Sequence, residues 1–199
     1  MKKSQSKQKV VDAAISLFFQ KGFDGTSVRD IADQAGVNVS LISYYFKGKQ
    51  GLLEHAITNY YEAYLQTIEE TLQKNSSAPP LDQLKKLVHE IILYKHQYLQ
   101  LSSMIHRELS LDTIFVREMT VTYLAKENYL INHILSQVVK HKSSQEKRLI
   151  ALQLKGMLIT PYVLHQEWRE HYVGDYSQEM FVKAYVKSVE EWLDYLANH

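Results

Sequence analysis

Counting from Val28, a small residue, a glycine and an apolar residue stand at places five, nine and fifteen: Ala32, Gly36 and Ile42. No other spacing in the chain restricts the backbone so tightly. Ile31, Ala32 and Ala35 share one face of a first helix, and Thr26 or Ser27 can accept from its free N–H groups. Gly36 ends that helix, because the residue after a helix commonly takes positive φ and glycine does so without steric cost. Asn38 is a fair N-cap for a second helix, whose inward face falls on Leu41 or Ile42, Tyr45 and Phe46. Two short helices crossing at about 90–120° through a turn of about three residues need a small side chain at closest approach and an apolar peg opposite it. The segment Gly25 to Phe46 therefore predicts a helix-turn-helix for duplex DNA.

Around this motif the apolar residues recur with helical spacing throughout, and no β-type alternation or internal repeat interrupts them. The spacing predicts an all-α chain of about nine helices. The first, over 4–21, carries Val10, Ala14, Leu17 and Phe18 on a buried stripe. A long helix follows the motif from Lys49 to about Lys74, and the run Asn75 to Pro80 breaks it. Helices are then expected over 81–96, 98–109, 113–141, 145–172 and 177–197, with a junction at Ser110 to Asp112. In the fourth of these, Pro161 is expected to kink the helix, and Gly156 to admit a close neighbour. Five of the seven glycines lie at or before Gly51, so the tight turns belong to the N-terminal part. The resulting division is a three-helix DNA-binding head over 1–48 and a larger helical body over 49–199.

Charge follows the same division. Residues 1–50 hold eight Lys and Arg against four Asp, whereas residues 51–199 hold fifteen against eighteen acidic groups. A basic excess at the motif is what phosphate neutralisation requires, although charge taken alone reads rather as a solvated fluctuation. The polar start, with Lys2, Lys3, Lys7 and Lys9, reads as a tail that orders on DNA or as a solvated end.

Other classes are excluded or left without support. The chain of 199 residues has no apolar run near the roughly 18–20 needed to span a bilayer, and the N-terminus has no apolar segment of a secretory signal. With no cysteine there are no disulfides and no thiolate ligands, which suits a reducing cytoplasm. His89 with His96, and His165 with His171, lack the i, i+4 spacing of paired metal ligands, so no metal is expected. No nucleophile elbow, phosphate-cradling glycine loop or dinucleotide fingerprint occurs, so neither catalytic residues nor a cofactor are assigned.

Taken in order, Phe18 to Phe23, Gly25 to Ala32, Ala35 to Val37, Tyr45 and Phe46, Lys49, and Leu52 with Leu53 resemble the TetR family of bacterial transcriptional regulators. The resemblance covers residues 8–55 closely and the remainder as architecture. It implies that the second motif helix enters the major groove, with Val39, Ser40, Leu41 and Tyr44 toward the bases. Ser40 can hydrogen-bond there, whereas Val39 and Leu41 can meet only thymine methyls or sugars. Tyr45 and Lys49 resemble the family's phosphate contacts, and Thr26, Ser27 and Arg29 lie where the preceding helix meets the backbone. Ser43 stands where the family often has tyrosine, and Gln50 with Gly51 where it often has acidic residues. So thin a hydrogen-bonding edge assigns part of the specificity to DNA shape.

The resemblance further implies a homodimer on a palindromic site, joined through the last two helices, and makes residues 49–199 the regulatory and dimerisation domain. Leu152, Leu164, Trp168, Tyr185, Val189, Trp192 and Leu196 are the interface candidates, beside Leu158 and Val163, the alternative being that they pack the body itself. Tyr94, Tyr98, Tyr123, Tyr129, Tyr162, Tyr172 and Tyr176 with Met104, Met119 and Met157 either line a pocket for a small-molecule effector or form ordinary core. The segment Asn38 to Lys49 is similar to a Bacillus-type branch of the family that regulates the division protein FtsZ. That similarity implies DNA sites near the chromosome origin, a nucleoid location and a contact with FtsZ. The competing class is a helical interaction module that keeps the motif's shape without binding DNA.

Overall fold

The computed structural model describes residues 2–109, 114–164 and 177–198. Every regular element among them is helical: α1 Lys2–Lys21, α2 Val28–Ala35, α3 Val39–Phe46, α4 Lys49–Lys74, α5 Pro80–Gln97, α6 Leu99–Glu108, α7 Ile114–Met119, a π segment Thr120–Leu124, α8 Ala125–Val138, α9 Ser144–Val163 and α10 Gln178–Asn198. The all-α expectation holds. No described helix is long and apolar enough to cross a membrane.

The chain divides into two compact units, Met1–Ala63 with Leu99–Glu108 and Tyr64–Tyr98 with Leu109–His199. In the first, α1 packs on α2 and α6, and α2 on α3. Val10, Ala14, Phe18, Ile31, Ala32, Ile42 and Leu52 are fully enclosed there. Ala32 and Ile42 are thus the small residue and the apolar peg that their spacing demands. Gly36 closes α2 at φ +65°, and its N–H reaches the Ala32 and Asp33 carbonyls. The C-terminal end of α1 is closed by a residue far along the chain: Arg107 of α6 donates from Nη2 to the Phe18 carbonyl at 2.7 Å.

In the second unit α5 is the centre, packed by α8, α9 and α10. Leu84, Leu87, Val88, Ile91 and Ile92 of α5 are buried, as are Ile134 of α8, Leu154 and Leu158 of α9 and Leu193 of α10, the helices packed on α5. Two tyrosine hydroxyls tie helices together: Tyr162 donates to the Ile92 carbonyl at 3.0 Å and Tyr185 to the Met157 carbonyl at 2.7 Å.

Two helices differ from their expected course. The run over 113–141 is interrupted by the π segment, which adds a residue to the local turn and changes which face the following helix presents. The helix expected over 145–172 ends at Val163, because Leu164 is extended at ψ 135°. Pro161 lies in its final turn rather than at a mid-helix kink. A proline at 161 has no N–H to give the Met157 carbonyl, and the Tyr185 hydroxyl supplies that bond instead. The expected junction at Ser110 to Asp112, His165 and His171, and Trp168, Tyr172 and Tyr176 lie outside the described residues.

Candidate nucleic-acid interface

The entry into α2 is held from three directions. Ser27 forms a capping box: its Oγ accepts from the Asp30 N–H at 3.1 Å, and its own N–H donates to Asp30 Oδ2 at 2.9 Å. These bonds, the backbone one foremost, hold the Asp30 carboxyl below its ordinary value. Thr26 is 2% exposed, and its hydroxyl donates to the Gly22 carbonyl at 2.8 Å. Lys49, at the start of α4, donates to the carbonyls of Phe23 at 2.7 Å and Thr26 at 2.9 Å, with its ammonium 4.2 Å from the Phe23 ring centroid.

This geometry alters two expectations. The Thr26 side chain is turned inward and anchors the turn, so its hydroxyl does not face a phosphate. The Lys49 ammonium is spent within the chain on two carbonyls, so its first duty is to lock the α1–α2 turn to α4. Only the tertiary approach of residues 23–26 to residue 49 reveals this, and no local pattern could have done so.

The entry into α3 is simpler. Asn38 Oδ1 accepts from the Ser40 N–H at 2.9 Å. At the other end Lys47 sits at φ +58° and donates its N–H to the Ser43 carbonyl. Gly51 packs directly against the Phe46 carbonyl oxygen, where any Cβ would collide. The departure from acidic residues at that position thus has a steric reason. Phe46 is flanked by the His55 ring at 5.2 Å and the Lys7 ammonium at 5.5 Å from its centroid. Lys7 lies within α1, which is already helical from Lys2, so the expected tail is part of the first helix.

With Ile42 and Phe46 inward, α3 turns Ser40, Ser43 and Tyr44 outward, Tyr44 being 71% exposed. Val39, Leu41 and Tyr45 are half-buried at the edges of this strip, and the Tyr44 and Tyr45 rings meet edge to face at 5.1 Å. Ser27 and Arg29 are exposed at the start of α2. The outward face of α3 thus lies beside the capped N-terminus of α2, with the Arg29 side chain exposed there.

Comparison with known proteins agrees. Residues 10–56 match the model of the bacterial regulatory proteins of the tetR family. The chain is 39% identical over 193 residues to the probable HTH-type transcriptional regulator YttP of Bacillus subtilis, covering 96% of this chain and 93% of that protein. The chain belongs to the TetR family. A shorter match, 32% over 102 residues and 54% of its length, links this TetR-family chain to IcaR of Staphylococcus aureus, a negative transcriptional regulator of the biofilm operon icaADBC. A TetR-like regulator from Rhodococcus superposes with a TM-score of 0.70 at 18% identity, covering 96% of this chain and 93% of its own. Bacillus subtilis FadR, solved with stearoyl-CoA, superposes with a TM-score of 0.65 at 20% identity, covering 90% of this chain and 95% of its own. The protein is accordingly a TetR-type transcriptional regulator rather than an enzyme.

In the body of this TetR-family chain the interface candidates separate. Leu152 is 67% exposed on α9, and Leu164, Tyr185, Trp192 and Leu196 are half-buried. Val189 is 2% exposed and Leu158 is equally enclosed. Both are buried within the body, so neither is free for a partner. Trp168 lies outside the described residues. Other exposed apolar residues are Leu149 and Val163 on α9, and Met180 and Tyr195 on α10. The aromatic pocket candidates also separate. Tyr94, Tyr162, Met104 and Met119 are core, and burial raises the Tyr94 and Tyr162 hydroxyl pKa values well above the ordinary range. Tyr98 and Tyr129 are exposed, while Tyr123 and Met157 are half-buried.

Proposed function

We propose that this chain acts as a homodimeric repressor that reads a palindromic duplex site, with residues 1–48 as the DNA-binding domain and residues 49–199 as the regulatory and dimerisation domain. The observation that supports the reading is the outward strip of α3, where Ser40, Ser43 and Tyr44 are exposed while Ile42 and Phe46 serve the core. Val39, Leu41 and Tyr45 flank it, and Ser27 and Arg29 meet the backbone beside it. Two heads about 34 Å apart, or somewhat more, would read the two halves of a palindrome. The dimer reading draws support from apolar side chains left in solvent on α9 and α10: Leu149, Leu152 and Val163 on one, Met180 and Tyr195 on the other. Such a surface on neighbouring helices is the usual mark of a partner. The protein works in the cytoplasm, at the nucleoid.

Selection of bound sequences from a random duplex pool tests this. An inverted repeat should emerge, and binding should weaken steeply as salt rises. Absence of binding to any duplex at low salt would return the protein to the class of helical interaction modules. Ser40→Ala should change which sequences are preferred, whereas Tyr45→Ala should weaken all of them alike.

For the output we favour release by a small-molecule effector, because the body holds a cavity with buried charge in its wall. A second reading is that the DNA-bound dimer contacts FtsZ and restrains Z-ring assembly; the similarity of Asn38 to Lys49 to the division-regulating branch supports it. Selected sites gathered at one promoter favour the first output. Sites arrayed near the chromosome origin, together with a change in FtsZ assembly on adding the DNA-bound protein, favour the second.

A further inference from the structure

The reading helix carries no charge and little that can hydrogen-bond. α3, Val39–Phe46, turns Ser40, Ser43 and Tyr44 outward, and Val39, Leu41 and Tyr45 stand half-buried at the edges of that strip. Two-point reading of guanine takes Arg or Lys, and of adenine Asn or Gln. No such residue lies within α3. Those that flank it are committed or remote. Asn38 Oδ1 accepts from the Ser40 N–H at 2.9 Å, and the Lys49 ammonium donates to the Phe23 and Thr26 carbonyls. Lys47 follows the last turn, about 10 Å along the helix axis from Ser40, whereas a recognition helix meets base edges with its N-terminal residues.

Hydrogen bonds are not the only mark of a base. In the major groove thymine alone offers a methyl group, at C5. An apolar edge gains by covering that methyl, and it penalises a base whose polar atoms it strips of water without replacing the bond. Val39 and Leu41 are such edges, and the Tyr44 ring, 71% exposed, is a third and broader one. A serine hydroxyl both donates and accepts, so Ser40 and Ser43 choose between bases less sharply than a two-point side chain.

We propose that α3 recognises its operator chiefly through the C5-methyl groups of thymines, met by Val39, Leu41 and Tyr44, with one such set in each half-site. This rests on the reading of the chain as a sequence-specific duplex binder and gives that site its class of substrate. Groove shape also favours A·T-rich duplex, through its narrow minor groove. The methyl separates the two, because it lies in the opposite groove and can be carried to another base pair.

An operator selected by the full chain from a random duplex pool is remade at each thymine in turn, changed alike in both half-sites. Deoxyuridine removes the methyl and keeps the A·T pair; cytosine opposite guanine removes the methyl and changes the pair; 5-methylcytosine opposite guanine restores the methyl on the changed pair. Covering one methyl is worth about fourfold in affinity, so losing one from each half-site should weaken binding about tenfold. At one or more positions deoxyuridine and cytosine are expected to show that loss, and 5-methylcytosine to recover most of what cytosine loses. In Tyr44→Ala, Val39→Ala or Leu41→Ala the ratio of thymine to deoxyuridine affinity should fall toward one at the position each side chain meets. That ratio is taken within one protein sample, so a partly unfolded variant does not alter it. Deoxyuridine operators bound as tightly as thymine operators at every position overturn the proposal and leave groove shape as the reader. So does 5-methylcytosine that recovers nothing, or a ratio unchanged in all three variants. Sequence-specific binding that ignores the methyl sinks this proposal alone, whereas absence of binding to any duplex sinks the DNA reading with it.

Discussion

The head and the body spend their polar groups differently. In the head the polar side chains hold local geometry: Thr26 on the Gly22 carbonyl, Lys49 on two carbonyls, Ser27 with Asp30, and Asn38 at the start of α3. Most of these bonds lie at or near the surface, where each contributes modestly, and together they fix the angle of a reading helix. In the body the informative polar groups are enclosed, with Lys95 and Glu127 both below one tenth exposed. Buried charge is expensive where packing could have been apolar, so its presence points to a task. The head anchors exposed residues by local bonds, whereas the body encloses its charges.

Breaking the buried pair should have the largest effect on this contrast. Lys95→Met removes the buried cation beside Glu127 and should cost about 3–5 kcal/mol, much of it recovered in the double variant with Glu127→Gln. Urea denaturation of both proteins checks this. A loss under about 1 kcal/mol would make the body no different from the head.

Within the head, Gly51→Ala sets a methyl against the Phe46 carbonyl and should cost about 2 kcal/mol, with DNA affinity falling as α3 shifts. Thermal unfolding and duplex binding measured on the same samples would show both losses. Lys49→Met removes two charged hydrogen bonds from a half-buried site, and after allowance for solvent should cost about 1–2 kcal/mol. If Lys49 acts by holding the turn, that variant weakens every duplex and also raises amide exchange around residues 23–26. Weakened binding with unchanged exchange would return Lys49 to a direct phosphate role.

Asn38→Ala should cost about 1 kcal/mol, the usual worth of an N-cap, and should leave the body's unfolding unaltered. The smallest effect concerns pH. Asp30 is held below the ordinary carboxylate range, so the capping box contributes fully above that range and is lost as acidification passes the lowered value. Nuclear magnetic resonance of the Ser27 N–H should follow this loss, and Asp30→Asn should abolish its pH dependence.

Much of the head was legible because its constraints are local. Gly36 had to take positive φ, Ala32 had to be small, Ile42 had to fill the space opposite, and Asn38 had to cap; each depends on neighbours a few residues away. The long helices were legible for the same reason, and the break at Asn75 to Pro80 is chemical. What spacing misjudged depends on remote partners. Leu152 and Val189 look alike as apolar residues on helices, yet packing buries Val189 and leaves Leu152 in solvent. The tyrosines whose recurrence suggested a pocket likewise part company: Tyr94 and Tyr162 are core, whereas Tyr98 and Tyr129 stand in solvent.

The amino-acid sequence by itself determined an all-helical chain, a helix-turn-helix at Gly25 to Phe46 and its family, because periodicity, caps and turn glycines act within one or two turns of backbone. Tertiary structure alone decided that Thr26 and Lys49 face inward, that Arg107 closes α1 from another helix, and that α9 stops where the Tyr185 hydroxyl replaces the N–H that Pro161 lacks. It also decided that Lys95, Glu127 and Lys155 share one cavity wall. These residues stand tens of positions apart, and only the packing of helices, driven by apolar burial rather than by the charges themselves, brings them together.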